Sequence, residues 1–112
     1  MVKGYTPKRG DVIWLEINPQ AGHEQAGKRP ALVISPEAYN HKTSLLLVCP
    51  ITSQIKGYPF EVELPPGLQI KGVILADQVK SLDWQARNTQ FACQVPDSIL
   101  QKTVAMIKIL LD

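Results

Sequence analysis

Gly22-His23-Glu24-Gln25-Ala26-Gly27-Lys28-Arg29-Pro30-Ala31-Leu32-Val33-Ile34-Ser35 is a polar, glycine-bounded loop that passes without a spacer into an apolar, β-branched run. Such a run, bounded by turn residues, reads as a buried strand. Pro30 biases Arg29 toward extended backbone and suits a first strand residue, where a missing N–H is tolerated. Arg29 therefore stands where a polar loop meets a rigid strand. A guanidinium there offers a planar fork of donors suited to a phosphate. The competing reading is an ordinary solvated arginine.

Working outward, residues 11–18 (Asp-Val-Ile-Trp-Leu-Glu-Ile-Asn) alternate, with Ile13, Leu15 and Ile17 on one face and Trp14, Glu16 and Asn18 on the other. This predicts a first strand with one buried face. Ser35 followed by Pro36 predicts a helix start, with Ser35 as N-cap and a single turn through Asn40. Residues 45–49 are apolar throughout and predict a central strand ended by Pro50. Phe60, Val62 and Leu64 alternate with Glu61 and Glu63 as a half-buried strand. Residues 73–76 and 91–95 predict two more strands. From Pro96 or Asp97 onward, Ile99, Leu100, Val104, Ile107 and Leu111 recur at helical spacing, so an amphipathic helix of about four turns should close the core. Short strands with turn signals between them, followed by one terminal helix, predict a mainly β fold, a small curled barrel with a C-terminal helix.

The chain has 112 residues, which fits a single domain spanning 1–112. Apolar residues make up 45% and the net charge is +2. Disorder is thereby excluded, while a local basic groove is neither required nor ruled out. No run of ~18 apolar residues predicts a membrane span. The opening residues lack the apolar core of a signal peptide, so a cytoplasmic protein is expected. Cys49 and Cys93 lie far apart in sequence, without metal-ligand spacing. They read as small buried residues, and neither a metal nor any other cofactor is expected.

Three polar segments fall at strand ends: 22–29, 52–56 and 77–80. If the barrel gathers them on one rim, they supply cations, neutral amides and hydroxyls, and two acceptors, Glu24 and Asp77. That mixture suits single-stranded nucleic acid, cations holding phosphates while Gln, Asp and Glu read base edges. Lys28, Lys56 and Lys80 are the phosphate candidates, and Gln54, Asp77 and Gln78 the base-reading ones. Gln25, Asn40 and Ser53 complete the candidate substrate-binding set. Tyr39, Tyr58, Phe60 and Trp14 are the only aromatics placed to stack on a base, and Trp84 suits a core or an interface. His23 and His41 could serve as an acid–base pair, but only Glu24 adjoins either of them. No nucleophile elbow, phosphate loop or paired carboxylates appear.

Lys8-Arg9-Gly10-Asp11-Val12-Ile13-Trp14, Glu24-Gln25-Ala26-Gly27-Lys28-Arg29-Pro30-Ala31, Cys49-Pro50-Ile51-Thr52-Ser53-Gln54 with Gly57-Tyr58-Pro59-Phe60-Glu61-Val62, and Gly72-Val73-Ile74-Leu75-Ala76-Asp77-Gln78-Val79-Lys80-Ser81 together resemble, in order and spacing, the motifs of the MazF/PemK toxin endoribonucleases. The resemblance implies an SH3-like barrel of the MazF/PemK/CcdB type used as a homodimer. It implies sequence-specific, metal-independent cleavage of single-stranded RNA, the 2′-OH attacking the adjacent phosphate to leave 2′,3′-cyclic phosphate and 5′-OH ends. It places the catalytic arginine at Arg29 and the catalytic threonine at Thr52, and implies a cognate antitoxin whose acidic C-terminal tail blocks the groove. Glu24 is the candidate for the base that arginine is too weakly acidic to be. Ser53 replaces a second threonine common in the family, and residues 65–71 are assigned no function. The same barrel type also serves non-catalytic toxins that act on a protein target such as gyrase. Those work through the end of the terminal helix, which here is Ile109-Leu110-Leu111-Asp112 and lacks an aromatic anchor.

Overall fold

The computed structural model describes residues 4–16 and 27–112. Its elements are β1 (Asp11–Glu16), β2 (Lys28–Val33), α1 (Glu37–Thr43), β3 (Leu45–Thr52), β4 (Glu61–Glu63), β5 (Val73–Leu75), a 3-10 turn (Ala76–Gln78), β6 (Lys80–Asp83), a second such turn (Gln85–Arg87), β7 (Gln90–Gln94) and α2 (Asp97–Leu111). The strands are antiparallel and run in the order β4-β5-β3-β2-β1-β7, with β6 also paired to β3. The sheet curls without closing.

Strand register sorts the core into two halves. Val12 pairs with Leu32 and Leu32 with Cys49, while Ile13 pairs with Ala31 and Val33 with Val48. The first set packs with Ile51, Val62, Leu64, Ile70, Ile74 and Leu100 of α2. The second packs with Leu15, Leu46 and Trp84. β1 is therefore covered on both faces, and Val12 is as completely buried as Ile13. This corrects the expectation of one buried face, because α2 lies over the side that alternation left to solvent.

Other expectations also shift. Ser35 is not an N-cap: its hydroxyl donates to Asn40 Oδ1 (2.6 Å) and accepts from the Leu47 amide (2.9 Å). Pro36 caps α1, which runs on to Thr43. Pro50 does not end β3 but lies within it, paired with Ala31. The polar stretch at 80 onward is a strand, because β3 offers a free edge to Lys80–Asp83. Trp84 belongs to the core, with its indole N–H donating to the Asn40 carbonyl at 2.9 Å. The last turn of α2 leaves the core, with Leu111 78% exposed. Among the described residues no helix is long and apolar enough to cross a membrane.

Burial also shapes the titration of three side chains, raising the thiol of Cys93 as well as the Cys49 and Tyr5 groups. It pushes the Cys49 thiol up to about 12, with a smaller contribution from the negative charge of Asp77. It likewise raises the Tyr5 phenol, whose hydroxyl donates to the buried Asp11 carboxylate. Both groups bind their protons more tightly when folded. The stability this confers is complete at neutral pH and is lost as pH rises above the unfolded-state values. Denaturant titration should show stability falling from about pH 9 by about 1.4 kcal/mol per pH unit through Cys49 alone. Cys49→Ala should make that slope shallower between pH 9 and 10, leaving a contribution from the raised Cys93 thiol, and Tyr5→Phe should act only at higher pH.

A candidate RNA-cleavage cleft

The β2–β3 ladder runs Val33↔Val48, Leu32↔Cys49, Ala31↔Pro50 and then stops. Continued by two residues, this register sets Arg29 opposite Thr52. Instead of continuing, β3 turns to a new neighbour, pairing Ile51 with Ile74 and Thr52 with Val73 of β5. Two prolines, Pro30 and Pro50, remove backbone donors where the strands part. The parting opens a cleft of about 340 Å³ lined by Trp14, Arg29, Pro30, Ile51, Thr52, Ser53, Gln54, Gln69, Ile70 and Lys71. Arg29 is exposed, as its position at the start of β2 requires.

Thr52 Oγ1 accepts a hydrogen bond from the Gln54 amide at 3.1 Å. A hydroxyl held as an acceptor keeps its own hydrogen for another partner, so Thr52 can donate into the cleft. Behind it, Gly72 adopts φ +125°, and a Cβ there would lie 2.1 Å from the Thr52 carbonyl oxygen. Only glycine permits that approach.

A smaller depression of about 160 Å³ adjoins the cleft and shares Thr52 and Gln54 with it; its other walls are Lys56, Tyr58, Glu61, Leu75 and Gln78. The Glu61 carboxylate accepts from the amides of Lys56 (3.2 Å) and Gly57 (2.9 Å), which fixes the turn carrying Lys56. The Lys56 ammonium lies 5.9 Å from the Tyr58 ring centroid, within the range of a cation–π contact. The two hollows form one polar groove with Thr52 at its middle.

The groove gathers Arg29, Thr52, Ser53, Gln54, Lys56 and Gln78 of the residues singled out from sequence. Lys28, Asp77 and Lys80 border neither hollow. Lys28 donates instead to Gln90 Oε1 at 2.6 Å. Asn40 is a correction. It is fully buried, its amide accepting from Ser35 and donating to the Pro7 and Ser35 carbonyls, so it has no surface to offer a substrate. His41 sits exposed on α1, with Nδ1 3.4 Å from the Thr6 hydroxyl and away from both hollows. His23, Glu24 and Gln25, like Ile17 and Asn18 of the predicted first strand, lie outside the described residues. Of the aromatics, Trp14 and Tyr58 reach the groove. Gln69 and Lys71 do so as well and were missed; they are loop residues whose placement depends on long-range pairing, and only the adjacent glycine hinted at a constraint.

A wider, open depression of about 560 Å³ lies between Tyr5, Lys8, Asp11 and Phe91. Its buried carboxylate, Asp11, already accepts from Tyr5, the Lys8 amide (3.1 Å) and Gln94 (3.1 Å). Its hydrogen-bonding capacity is used structurally.

The model of the PemK-like, MazF-like toxins of type II toxin–antitoxin systems matches residues 8–111. The chain is 50% identical to the endoribonuclease toxin MazF of Escherichia coli K12 over 111 residues, 99% of each chain. It is 34% identical to endoribonuclease EndoA of Bacillus subtilis over 107 residues, 91% of each. Among solved structures it is similar to a chain in a MazE–MazF crystal structure from Deinococcus radiodurans, with TM-score 0.91, 49% identity, and coverage of 96% of this chain and 97% of that one.

Proposed function

The chain belongs to the family of PemK-like, MazF-like toxins, and from that premise we propose that it cleaves single-stranded RNA at a short recognition sequence without a metal ion. The observation that carries this reading is the meeting of Arg29 and Thr52 in one cleft. The 2′-OH attacks the adjacent phosphorus, passes through a five-coordinate phosphorane, and expels the 5′-oxygen, which takes a proton from solvent water as the P–O5′ bond breaks. The products are a 2′,3′-cyclic phosphate and a 5′-OH. Charge grows on the non-bridging oxygens, where the Arg29 fork and the Thr52 hydroxyl donate. Arginine holds its proton above pH ~12, so the 2′-OH proton goes to another acceptor, for which we propose Glu24. Protein donors carry the developing charge, so cleavage proceeds in excess EDTA.

Purified protein incubated with a long mixed RNA in EDTA, followed by sequencing of the new 5′ ends, tests the reading. Cuts concentrated at one short sequence support it. Intact RNA contradicts it and favours a non-catalytic toxin with a protein target. Selectivity is assigned to the smaller hollow. Gln78→Ala should shift or relax the cut sequence while slowing a permissive RNA by less than about tenfold; unchanged selectivity would remove that role.

The partners proposed on the same footing are a second copy of the chain and a cognate antitoxin, consistent with the MazE–MazF relative. An extended acidic tail of the antitoxin would lie in the groove, where Arg29 and Lys56 attract it. The proposed setting is the cytoplasm.

A further inference from the structure

Residues 69–71 carry no function in the reading of the sequence, yet their backbone is anchored on either side of Lys71. Ile70 is only 6% exposed and packs with Val12, Leu32 and Cys49. The Gly72 carbonyl accepts from the Leu64 amide at 3.0 Å. Val73 pairs with Thr52, and the Gly72 backbone presses against the Thr52 carbonyl. Lys71 is thereby fixed between a buried side chain and a crowded glycine, and it borders the same cleft as Arg29 and Thr52. In the order β2-β3-β5, Arg29 comes from the strand on one side of Thr52 and Lys71 from the residues entering the strand on the other. A donor hydroxyl is thus flanked by a cation on each side.

We propose that Lys71 is a second phosphate-binding cation of this cleft, neutralising one backbone phosphate of the bound RNA strand from the wall across Thr52 from Arg29. This rests on the ribonuclease reading and adds to it a residue that positions the strand. The backbone carrying Lys71 is anchored, so binding orders only its exposed side chain. It acts as a point charge rather than a planar fork, so position matters more than geometry, and Lys71→Arg should preserve the contact.

The test is binding of a 2′-deoxy-substituted, uncleavable oligonucleotide across a range of salt concentrations, with the melting temperature of each variant as a folding control. Each phosphate contact on a single strand contributes roughly −0.7 to the slope of log K against log salt. Lys71→Gln should make the slope shallower by about that amount and weaken binding at low salt by about tenfold. Lys71→Arg should restore both, and Lys102→Gln, on the exposed side of α2, should change neither. An unchanged slope in a folded Lys71→Gln protein overturns the proposal even where the wild type cleaves RNA. A wild type that neither binds nor cleaves overturns the ribonuclease reading, and this proposal with it.

Discussion

Arg29→Ala is expected to lower the rate of RNA cleavage by about 10²–10³, the usual consequence of removing one charge-stabilising donor, and to leave the protein folded. The side chain is exposed at the second residue of β2, so its truncation opens no cavity, and stability should change by less than about 0.5 kcal/mol. Arg29→Lys should fall between wild type and alanine, because the charge survives while the bidentate fork is lost. Single-turnover cleavage of one defined RNA, with the melting temperature as control, measures both effects. A variant that unfolds, or one that cuts at the wild-type rate, contradicts the assignment.

Gly72→Ala has the largest expected effect outside the proposed catalytic pair. The new methyl would lie 2.1 Å from the Thr52 carbonyl oxygen, at a φ of +125°. Backbone strain of about 1–3 kcal/mol adds to an overpacking cost of about 1–3 kcal/mol. Relief requires Thr52 to move, so cleavage should fall with stability, and the residual activity of the folded fraction should also be reduced. Gly67→Ala separates the two contributions. Gly67 has φ +96° and nothing within 4 Å of an added Cβ, so it bears strain without the clash and should lose only that strain, about 1–3 kcal/mol, with normal cleavage. Equal losses in both variants would show that Gly72 matters only for its dihedral angle.

Local patterns in the sequence are enough to read β2, the alternating strand at Glu61–Glu63 and the helix Asp97–Leu111, because each carries its own periodicity and boundary residues. β6 is not readable this way. Lys-Ser-Leu-Asp has little strand character and becomes a strand only because β3 presents an edge. Pro50 reads as a breaker because a ladder position normally needs its N–H, yet it sits where the ladder with β2 ends. Asn40 looks like a surface residue on a short polar helix. Its burial depends on Pro7 and Trp84 converging from distant parts of the chain on Asn40 and the nearby Ser35.

The site divides in the same way. Arg29 and Thr52 could each be picked out from their motifs, but their meeting in one cleft depends on the β2–β3 register and on where that ladder ends, at Ala31↔Pro50. Lys71 could not be picked out at all, because nothing near it in the chain marks a function. Lys28 and Lys80 lie within the motifs themselves, yet strand geometry carries both away from the groove, Lys28 toward Gln90 and Lys80 into pairing with Val48.

The role proposed for Arg29 and Thr52 is to stabilise a phosphate under attack by the neighbouring 2′-OH. Its most direct test uses two oligonucleotides in excess EDTA, one all-ribose and one with a single 2′-deoxy at the cut position. The expected result is cleavage of the first to a 2′,3′-cyclic phosphate and a 5′-OH, with no cleavage of the second at that bond. Cleavage of the deoxy-substituted bond, or a linear 3′-phosphate formed without a cyclic precursor, would contradict it.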